Sequence, residues 1–227
     1  MPNTLTIKDI TIEYLGHSGF VIHKGNHAIV IDPFLIGAPL ATKTPKDIFA
    51  TDILITHGHG DHVGDSIEIA KNNDVPITTI FGVAQYCESL GAKISSTPLG
   101  GTKTFDWGIA RFRPAVHNGL FPNGESFDAA AGILLEFDGL KIYHTGDTAL
   151  NYDLKLVGEI YKPDIALITI SGKASMDIEE ALIAAQWLKA KKVIPMHWDM
   201  GTEGNPNPED FVAKLKQIGI EGIALRP

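Results

Sequence analysis

Four potential metal ligands lie within six consecutive residues, at His57, His59, Asp61 and His62. Glycines separate the first three of them and let the backbone fold tightly around a small object. In an extended turn, His57 and His59 project to the same side, which suits two nitrogens that bind one ion at roughly 2.0 to 2.1 Å. Asp61 and His62 begin the next predicted helix, where they can face a second ion and where Asp61 is a suitable N-terminal cap. A loop gains nothing from crowding these groups together without a metal, so the motif predicts a metal site.

Further ligands have to come from elsewhere in the chain, because each ion takes about four to five ligands. Three candidates share one position, just past the end of a predicted apolar strand: His117, Asp147 and His197. Strand ends are where layered α/β folds usually present functional side chains. Each candidate is ambiguous alone, and together the three supply the missing ligands.

Composition and charge limit the classes of function. Cys87 is the only cysteine, which excludes an intramolecular disulfide and thiolate-rich zinc sites. The chain has 27 acidic and 19 basic residues and a formal charge of −8. This balance disfavours a nucleic-acid partner, since phosphate affinity comes mainly from lysine and arginine. We therefore expect a small-molecule substrate.

The sequence also gives expectations about location and assembly. No apolar run approaches the roughly 20 residues that cross a bilayer. The N-terminus lacks the basic segment, apolar stretch and cleavage site of an export signal. We expect a cytoplasmic protein without a membrane partner, and the sequence leaves homo-oligomerisation open.

The elements that would position the ligands follow one order in each half of the chain. Residues 9–34 predict an antiparallel meander, and residues 52–96 alternate strands with helices, including a helix from Val63 to Asn73. Residues 103–144 return to hairpins, with Asp138-Gly139 as a two-residue turn, and the final third alternates again. This order predicts two face-to-face sheets with helices outside.

The whole chain, residues 1–227, is predicted to form a single domain, because no repeat or linker divides it. Residues 32–51 and 117–131 lack clear periodicity. Long segments of this kind are uncommon in compact domains unless they are lids or binding loops. Both segments are therefore predicted to be walls of a pocket.

The candidate ligands occur in segments that resemble the metallo-β-lactamase superfamily: the run from Thr56 to His62, then His117, Gly146-Asp147-Thr148 and His197. The resemblance covers nearly the whole chain. Within the superfamily, four segments resemble cytoplasmic metal-dependent hydrolases akin to ascorbate-6-phosphate lactonase: Tyr14 to Phe20, Ile31 to Phe34, Tyr143 to Thr148 and Ile194 to His197. This likeness implies an α/β fold, a four-layer αββα sandwich of two mixed β-sheets flanked by helices.

The resemblance also implies a role for each ligand. His57, His59 and His117 would bind the first metal ion; Asp61, His62 and His197 would bind the second; Asp147 would bridge both. The implied cofactors are two divalent ions, which we expect to be zinc, although these ligands also suit manganese or iron. A hydroxide held between the ions would be the nucleophile, because a metal lowers the pKa of its bound water toward ~7.

Two residues are candidates for catalytic roles beside the ligands. Asp61 is a candidate to orient or deprotonate the attacking water, and His17, in Gly16-His17-Ser18-Gly19, is a candidate to contact substrate. Asp32 is expected to accept an N–H from a ligand histidine and so to fix its tautomer. A strand-terminal turn residue before Pro33 is the alternative interpretation of Asp32.

The function that these residues predict is a dinuclear metal-dependent hydrolase acting on a small ester, lactone or phosphoester. One departure leaves the substrate open: many members of the branch carry Gly-Asp followed by Thr-Met-Gly-Pro-Glu-Glu where this chain has residues 171–180. That departure favours one alternative, a non-hydrolytic metal-containing binding or sensing protein. A nuclease acting on RNA or another phosphodiester is a weaker alternative, because the net charge speaks against it.

Overall fold

The structure is a computed structural model that describes residues 1–199 and 204–227. The chain divides into two compact units by its internal contacts. Unit 1 contains residues 1–99, 118–129 and 225–227, and unit 2 contains residues 100–117 and 130–224. Within the described residues, each unit has one mixed sheet of seven strands. The expectation of two mixed sheets with helices is therefore confirmed.

Unit 1 begins with an antiparallel meander and continues with parallel strands. Its strands are β1 (Thr4–Ile7), β2 (Ile10–Gly16), β3 (Gly19–Lys24), β4 (His27–Ile31), β5 (Asp52–Leu54), β6 (Ile77–Ile80) and β7 (Ile94–Thr97), in that spatial order. Its helices are α1 (Gly60–Val63), α2 (Ser66–Asn73) and α3 (Phe81–Ser89). The strands from β1 to β4 pair antiparallel, and those from β4 to β7 pair parallel. Parallel pairing needs crossover connections, which α2 and α3 help to form.

Unit 2 repeats this order. Its strands are β8 (Thr102–Phe105), β9 (Gly108–Ala115), β10 (Ala130–Phe137), β11 (Leu140–His144), β12 (Ile165–Thr169), β13 (Lys192–Met196) and β14 (Glu221–Gly222). Its helices are α4 (Tyr152–Ile160), α5 (Ile178–Leu188) and α6 (Pro208–Gln217). Strands β8 to β11 pair antiparallel, and β11 to β14 pair parallel. The predicted turn at Asp138-Gly139 joins β10 to β11.

Residue patterns explain why these elements form. All five residues of β12 are apolar or threonine and all are buried, as expected for a parallel strand covered on both faces. Asp177 caps α5 in a capping box with Glu180, and Asn207 caps α6 ahead of Pro208 at its first position. These caps explain why α5 begins at Ile178 and α6 at Pro208.

One predicted helix is wrong in its boundaries. The expected helix from Val63 to Asn73 is interrupted at Gly64, whose φ is +44°. A Cβ on Gly64 would lie 2.3 Å from the Pro33 carbonyl oxygen, so close packing against another segment breaks the helix. The residue that caps α1 is His59, and Asp61 lies in the first turn rather than at the cap. Among residues 1–199 and 204–227, no helix is both long and apolar enough to span a bilayer.

Candidate metal centre

The histidine motif of unit 1 follows the buried strand β5. His57 and His62 are fully buried, and His59 is half-buried. Nε2 of His57 lies 3.0 Å from Nδ1 of His59. Two nitrogens at about 2.0 to 2.1 Å from one tetrahedral ion would themselves be separated by roughly 3.3 to 3.4 Å, so the observed spacing is close to that of two nitrogens on a shared ion. The predicted same-side projection of the two imidazoles is confirmed.

Asp32, at the end of β4, fixes the orientation of the motif. Its carboxylate accepts hydrogen bonds from the Thr56 amide at 2.8 Å, the Thr56 hydroxyl at 2.6 Å and His62 Nδ1 at 2.8 Å. Because the Thr56 hydroxyl donates to Asp32, it accepts from His57 Nδ1, which lies 3.0 Å away. Both His57 and His62 are thereby held with Nδ1 protonated. Each then presents the Nε2 lone pair, the form that a metal ligand requires.

Packing against glycines selects the nitrogen that His59 presents. A Cβ on Gly119 would lie 1.8 Å from His59 Nε2, so the ring edge that carries Nε2 rests against the loop backbone. This contact leaves Nδ1 facing His57. Gly58 is equally constrained, because a Cβ there would lie 2.4 Å from Phe121 and 2.8 Å from Phe127. The motif therefore needs a glycine at position 58 for packing.

His17 contacts the motif from the corner between β2 and β3. Its Nε2 lies 3.0 Å from Asp61 Oδ2, and the Tyr14 hydroxyl donates a 2.9 Å hydrogen bond to its carbonyl oxygen. His17 is buried, whereas the Asp61 side chain keeps 30% of its surface exposed. Ligand atoms of His17, Asp61 and His62 all lie within 4.8 Å of one another. His17 therefore belongs to the polar group formed by the motif.

Unit 2 brings its three candidate ligands together. His117, Asp147 and His197 follow β9, β11 and β13, whose carboxyl ends lie at one edge of the sheet. Asp147 Oδ2 lies 3.1 Å from His197 Nε2 and 3.9 Å from His117 Nε2. Its other oxygen, Oδ1, accepts a hydrogen bond from the Thr169 hydroxyl at 3.3 Å. One carboxylate oxygen thus faces two imidazoles, as the strand-end positions predict.

Backbone strain marks three of the candidate residues. Among the described residues, seven non-glycines have a left-handed φ, and four of these lie in exposed turns or at helix ends. The other three are buried: His17 at +54°, Asp32 at +43° and His197 at +58°. Such conformations cost on the order of 1 to 3 kcal/mol each and concentrate at functional sites. All three positions belong to the polar groups described above, which makes them candidates for a functional role.

The chain is similar to known hydrolases over nearly its whole length. A model of the beta-lactamase superfamily domain matches residues 11–197. A UPF0173 metal-dependent hydrolase of Thermus thermophilus is 40% identical over 218 residues, 96% of each chain. The chain belongs to the metallo-β-lactamase superfamily. Within this superfamily it belongs with the UPF0173 metal-dependent hydrolases.

Two further relatives support the assignment of this chain to the superfamily. A UPF0173 metal-dependent hydrolase of Anoxybacillus flavithermus is 38% identical over 212 residues, 92% of this chain and 94% of the relative. The solved structure of Igni18, a metallo hydrolase from the archaeon Ignicoccus hospitalis, superposes with a TM-score of 0.87 at 29% identity. The superposition covers 96% of this chain and 95% of Igni18. The predicted family and its α/β fold with two mixed sheets are confirmed.

Residues 117–131, predicted to form a pocket wall, line a cavity beside the histidine motif. The cavity, about 370 Å³, lies between α3 and the loop within residues 117–131, and is lined by Tyr86, Phe121, Glu125, Phe127 and Asp128 among others. The Phe127 ring also packs edge-on against His57 and His59. Burial, with Cys87 and Glu125 nearby, raises the pKa of Tyr86, so its hydroxyl stays protonated.

Several residues that hold the candidate ligands in place carry little signal in the sequence. Thr56 is the first residue of the motif, and nothing in the sequence indicates that its hydroxyl bonds His57 Nδ1. Gly119 and Thr169 carried no signal in one sequence, because their contacts join segments far apart in the chain. The position of Gly119 two residues after His117 was the only available hint.

Proposed function

We propose that the chain is a dinuclear metal-dependent hydrolase. The first ion would be held by His57, His59 and His117, the second by Asp61, His62 and His197, and Asp147 would bind both. On this proposal residues 1–227 act as one catalytic domain, in which no repeat or linker divides the sequence.

The observation that carries the dinuclear proposal is the position of one oxygen. Asp147 Oδ2 lies near Nε2 of both His197 and His117, at 3.1 and 3.9 Å. These histidines are assigned to different ions, so the closeness of one carboxylate oxygen to both supports the proposal that Asp147 would bind both ions. The bonds from Asp32 and Thr56 support the proposal further, because they prepare His57 and His62 as neutral Nε2 ligands.

The donor set fits transition-metal ions. Imidazole nitrogens and carboxylate oxygens suit zinc, manganese and iron, and we propose zinc because five of the seven ligands are nitrogens. Two divalent ions would supply a nucleophile at neutral pH by lowering the pKa of water, and would stabilise the charge on the attacking and leaving oxygens. The side chains of the protein would then orient the attacking water, accept its proton and contact the substrate.

Asp61 is proposed to accept the proton of the attacking water, and His17 is proposed to hold Asp61 in place. Asp61 is partly exposed, so a water and a substrate can reach its carboxylate, which would orient the water and take its proton. His17 Nε2, at 3.0 Å from Asp61 Oδ2, would hold that carboxylate in place and contact the substrate. The Tyr14 hydrogen bond to the His17 carbonyl fixes the corner that carries this imidazole.

The proposed substrates are small esters, lactones and phosphoesters. Hydrolysis of each needs a water nucleophile and stabilisation of an oxygen that gains negative charge, which is the chemistry that this ligand set supports. The excess of 27 acidic over 19 basic residues does not provide the basic surface that a long nucleic acid would need.

Metal analysis followed by an activity panel tests this function. Protein purified without chelator is expected to hold about two equivalents of transition metal and to hydrolyse one or more members of a panel of p-nitrophenyl esters, lactones and phosphodiesters. Less than one equivalent of metal would contradict the proposal. Full metal content with no turnover on any member would favour the alternative of a metal-containing binding or sensing protein.

A further inference from the structure

Three hydroxyl groups of unit 2 form a chain that ends on Asp147. The Thr169 hydroxyl lies 3.3 Å from Asp147 Oδ1 and 2.5 Å from the Ser175 hydroxyl. The Ser175 hydroxyl lies 2.8 Å from that of Ser171. The Ser171 oxygen in turn accepts the backbone N–H groups of Ala174 at 3.2 Å and Ser175 at 2.9 Å.

The groups at the two ends of this row of hydroxyls determine which hydroxyl donates and which accepts in every hydrogen bond between them. Ser171 Oγ accepts two backbone N–H groups, which occupy both of its lone pairs, so its own proton is donated to Ser175. Ser175 then donates to Thr169, and Thr169 donates to Asp147 Oδ1. An ionised carboxylate only accepts, so the opposite end is consistent with the same direction. Each bond polarises the next, which strengthens the final bond to Asp147.

The two carboxylate oxygens of Asp147 have different partners. Oδ1 is taken by Thr169, whereas Oδ2 faces His197 and His117. Asp147 and Thr169 are both buried, so turning the carboxylate plane away from Thr169 would leave the buried Thr169 proton without this acceptor. The three hydroxyl groups therefore hold the plane of the carboxylate with one oxygen toward the imidazoles.

Resting on the dinuclear function proposed above, we propose that Thr169 is a positioning residue for Asp147, and that Ser175 and Ser171 polarise it from the loop that follows β12. The loop is itself fixed, because the Met176 amide donates to the Thr148 carbonyl oxygen at 3.2 Å. This assigns a role to the segment in which the chain departs from its branch: its serines orient a metal ligand.

The test compares metal affinity in variants that keep or remove the hydroxyl. Thr169→Val removes the final donor at nearly constant volume, and Thr169→Ser retains it. Thr51→Val is the matched control, since the Thr51 hydroxyl also bonds a carboxylate, Asp52 Oδ2 at 2.8 Å, that is not a proposed ligand. Zinc affinity is measured by competition with a chromophoric chelator, Co²⁺ absorption reports the ligand geometry, and the melting temperature of the metal-free protein checks folding.

We expect Thr169→Val to weaken zinc binding by about 10- to 100-fold and to alter the Co²⁺ spectrum, as for other residues that orient metal ligands. Thr169→Ser should restore both readouts, and Thr51→Val should change neither. Ser175→Ala should give a smaller loss than Thr169→Val, because the donor to Asp147 remains. If Thr169→Val alone fails to fold, the Ser175→Ala and Thr169→Ser results decide the matter.

Two patterns of results would overturn the proposal. Unchanged zinc affinity and Co²⁺ spectrum in folded Thr169→Val or Ser175→Ala would show that the hydroxyl chain does not position Asp147. A folded Thr169→Ser with the same loss as Thr169→Val would assign the effect to the methyl group. Wild-type protein that binds no zinc would instead refute the proposed function, and this inference with it.

Discussion

Asp32 and His62 are 30 residues apart in the chain, yet the Asp32 carboxylate and His62 Nδ1 are joined by a 2.8 Å hydrogen bond between two fully buried side chains. Asp32 lies at the end of β4 with a left-handed backbone, and His62 lies in the short helix α1. The expectation that Asp32 accepts an N–H from a histidine of the motif is confirmed. Through this bond, a residue at the end of a strand of unit 1 sets the tautomer of His62, a proposed ligand.

Asp32→Asn tests this connection. The amide keeps the shape of the side chain, but its NH₂ group can face His62 and favour the tautomer that withdraws the Nε2 lone pair. We expect zinc affinity to fall by about 10- to 100-fold, measured by chelator competition. Asp65→Asn is the control, because Asp65 Oδ2 accepts the Leu35 and Ile36 amides and is not connected to a ligand. Equal affinities in wild type and Asp32→Asn would refute the orienting role.

His57→Ala and Asp147→Ala each remove a proposed ligand. Both variants are expected to lose metal and hydrolytic activity together, because an ion that loses one of about four ligands dissociates more readily. Elemental analysis of the purified variants and the ester panel measure the two losses. His23→Ala is the control, since His23 lies in the hairpin of β3 and β4 and bonds Glu13. Retained activity in either ligand variant would show that the assignment is wrong.

His17→Asn separates a catalytic histidine from a metal ligand. Asparagine tolerates the left-handed backbone at position 17 better than most residues, so the corner is expected to keep its shape. We expect kcat to fall by about 10²-fold, while the metal content stays at the wild-type value. Loss of a full metal equivalent would instead identify His17 as a ligand, which its closeness to Asp61 and His62 permits on distance alone.

Cys87 provides a check on the packing of α3. The thiol is buried, and burial raises its pKa to about 12. At pH 8 roughly one thiol in ten thousand would be ionised, and only the thiolate reacts with disulfide reagents. We expect no labelling of the native protein by Ellman's reagent at pH 8 and one equivalent after denaturation. Rapid stoichiometric labelling of the native protein would contradict the packing of this helix.

The sequence was sufficient to select the candidate ligands, because each of them stands in a recognisable local pattern. His57, His59 and Asp61 are spaced by glycines after an apolar strand, and Asp147 and His197 come directly after strands. In unit 2, β11, β12 and β13 run parallel, so the carboxyl ends of β11 and β13 lie at one edge, and the closeness of Asp147 and His197 could be expected without any contact information.

The parts that escaped prediction depend on contacts between distant segments. The helix break at Gly64 is imposed by the Pro33 carbonyl, and the orientation of His59 is imposed by Gly119. Strands β1 and β14 were missed as well, because β1 is a half-exposed edge strand with alternating threonines and β14 has two residues. Edge strands carry a weak hydrophobic pattern, so periodicity alone does not detect them.

An anomalous difference map tests the central claim most directly. Crystals grown with zinc and measured above the zinc absorption edge are predicted to show two peaks about 3.5 to 4 Å apart, with Asp147 adjacent to both. His57, His59 and His117 should contact one peak, and Asp61, His62 and His197 the other. A single peak, or peaks away from these seven side chains, would contradict the account.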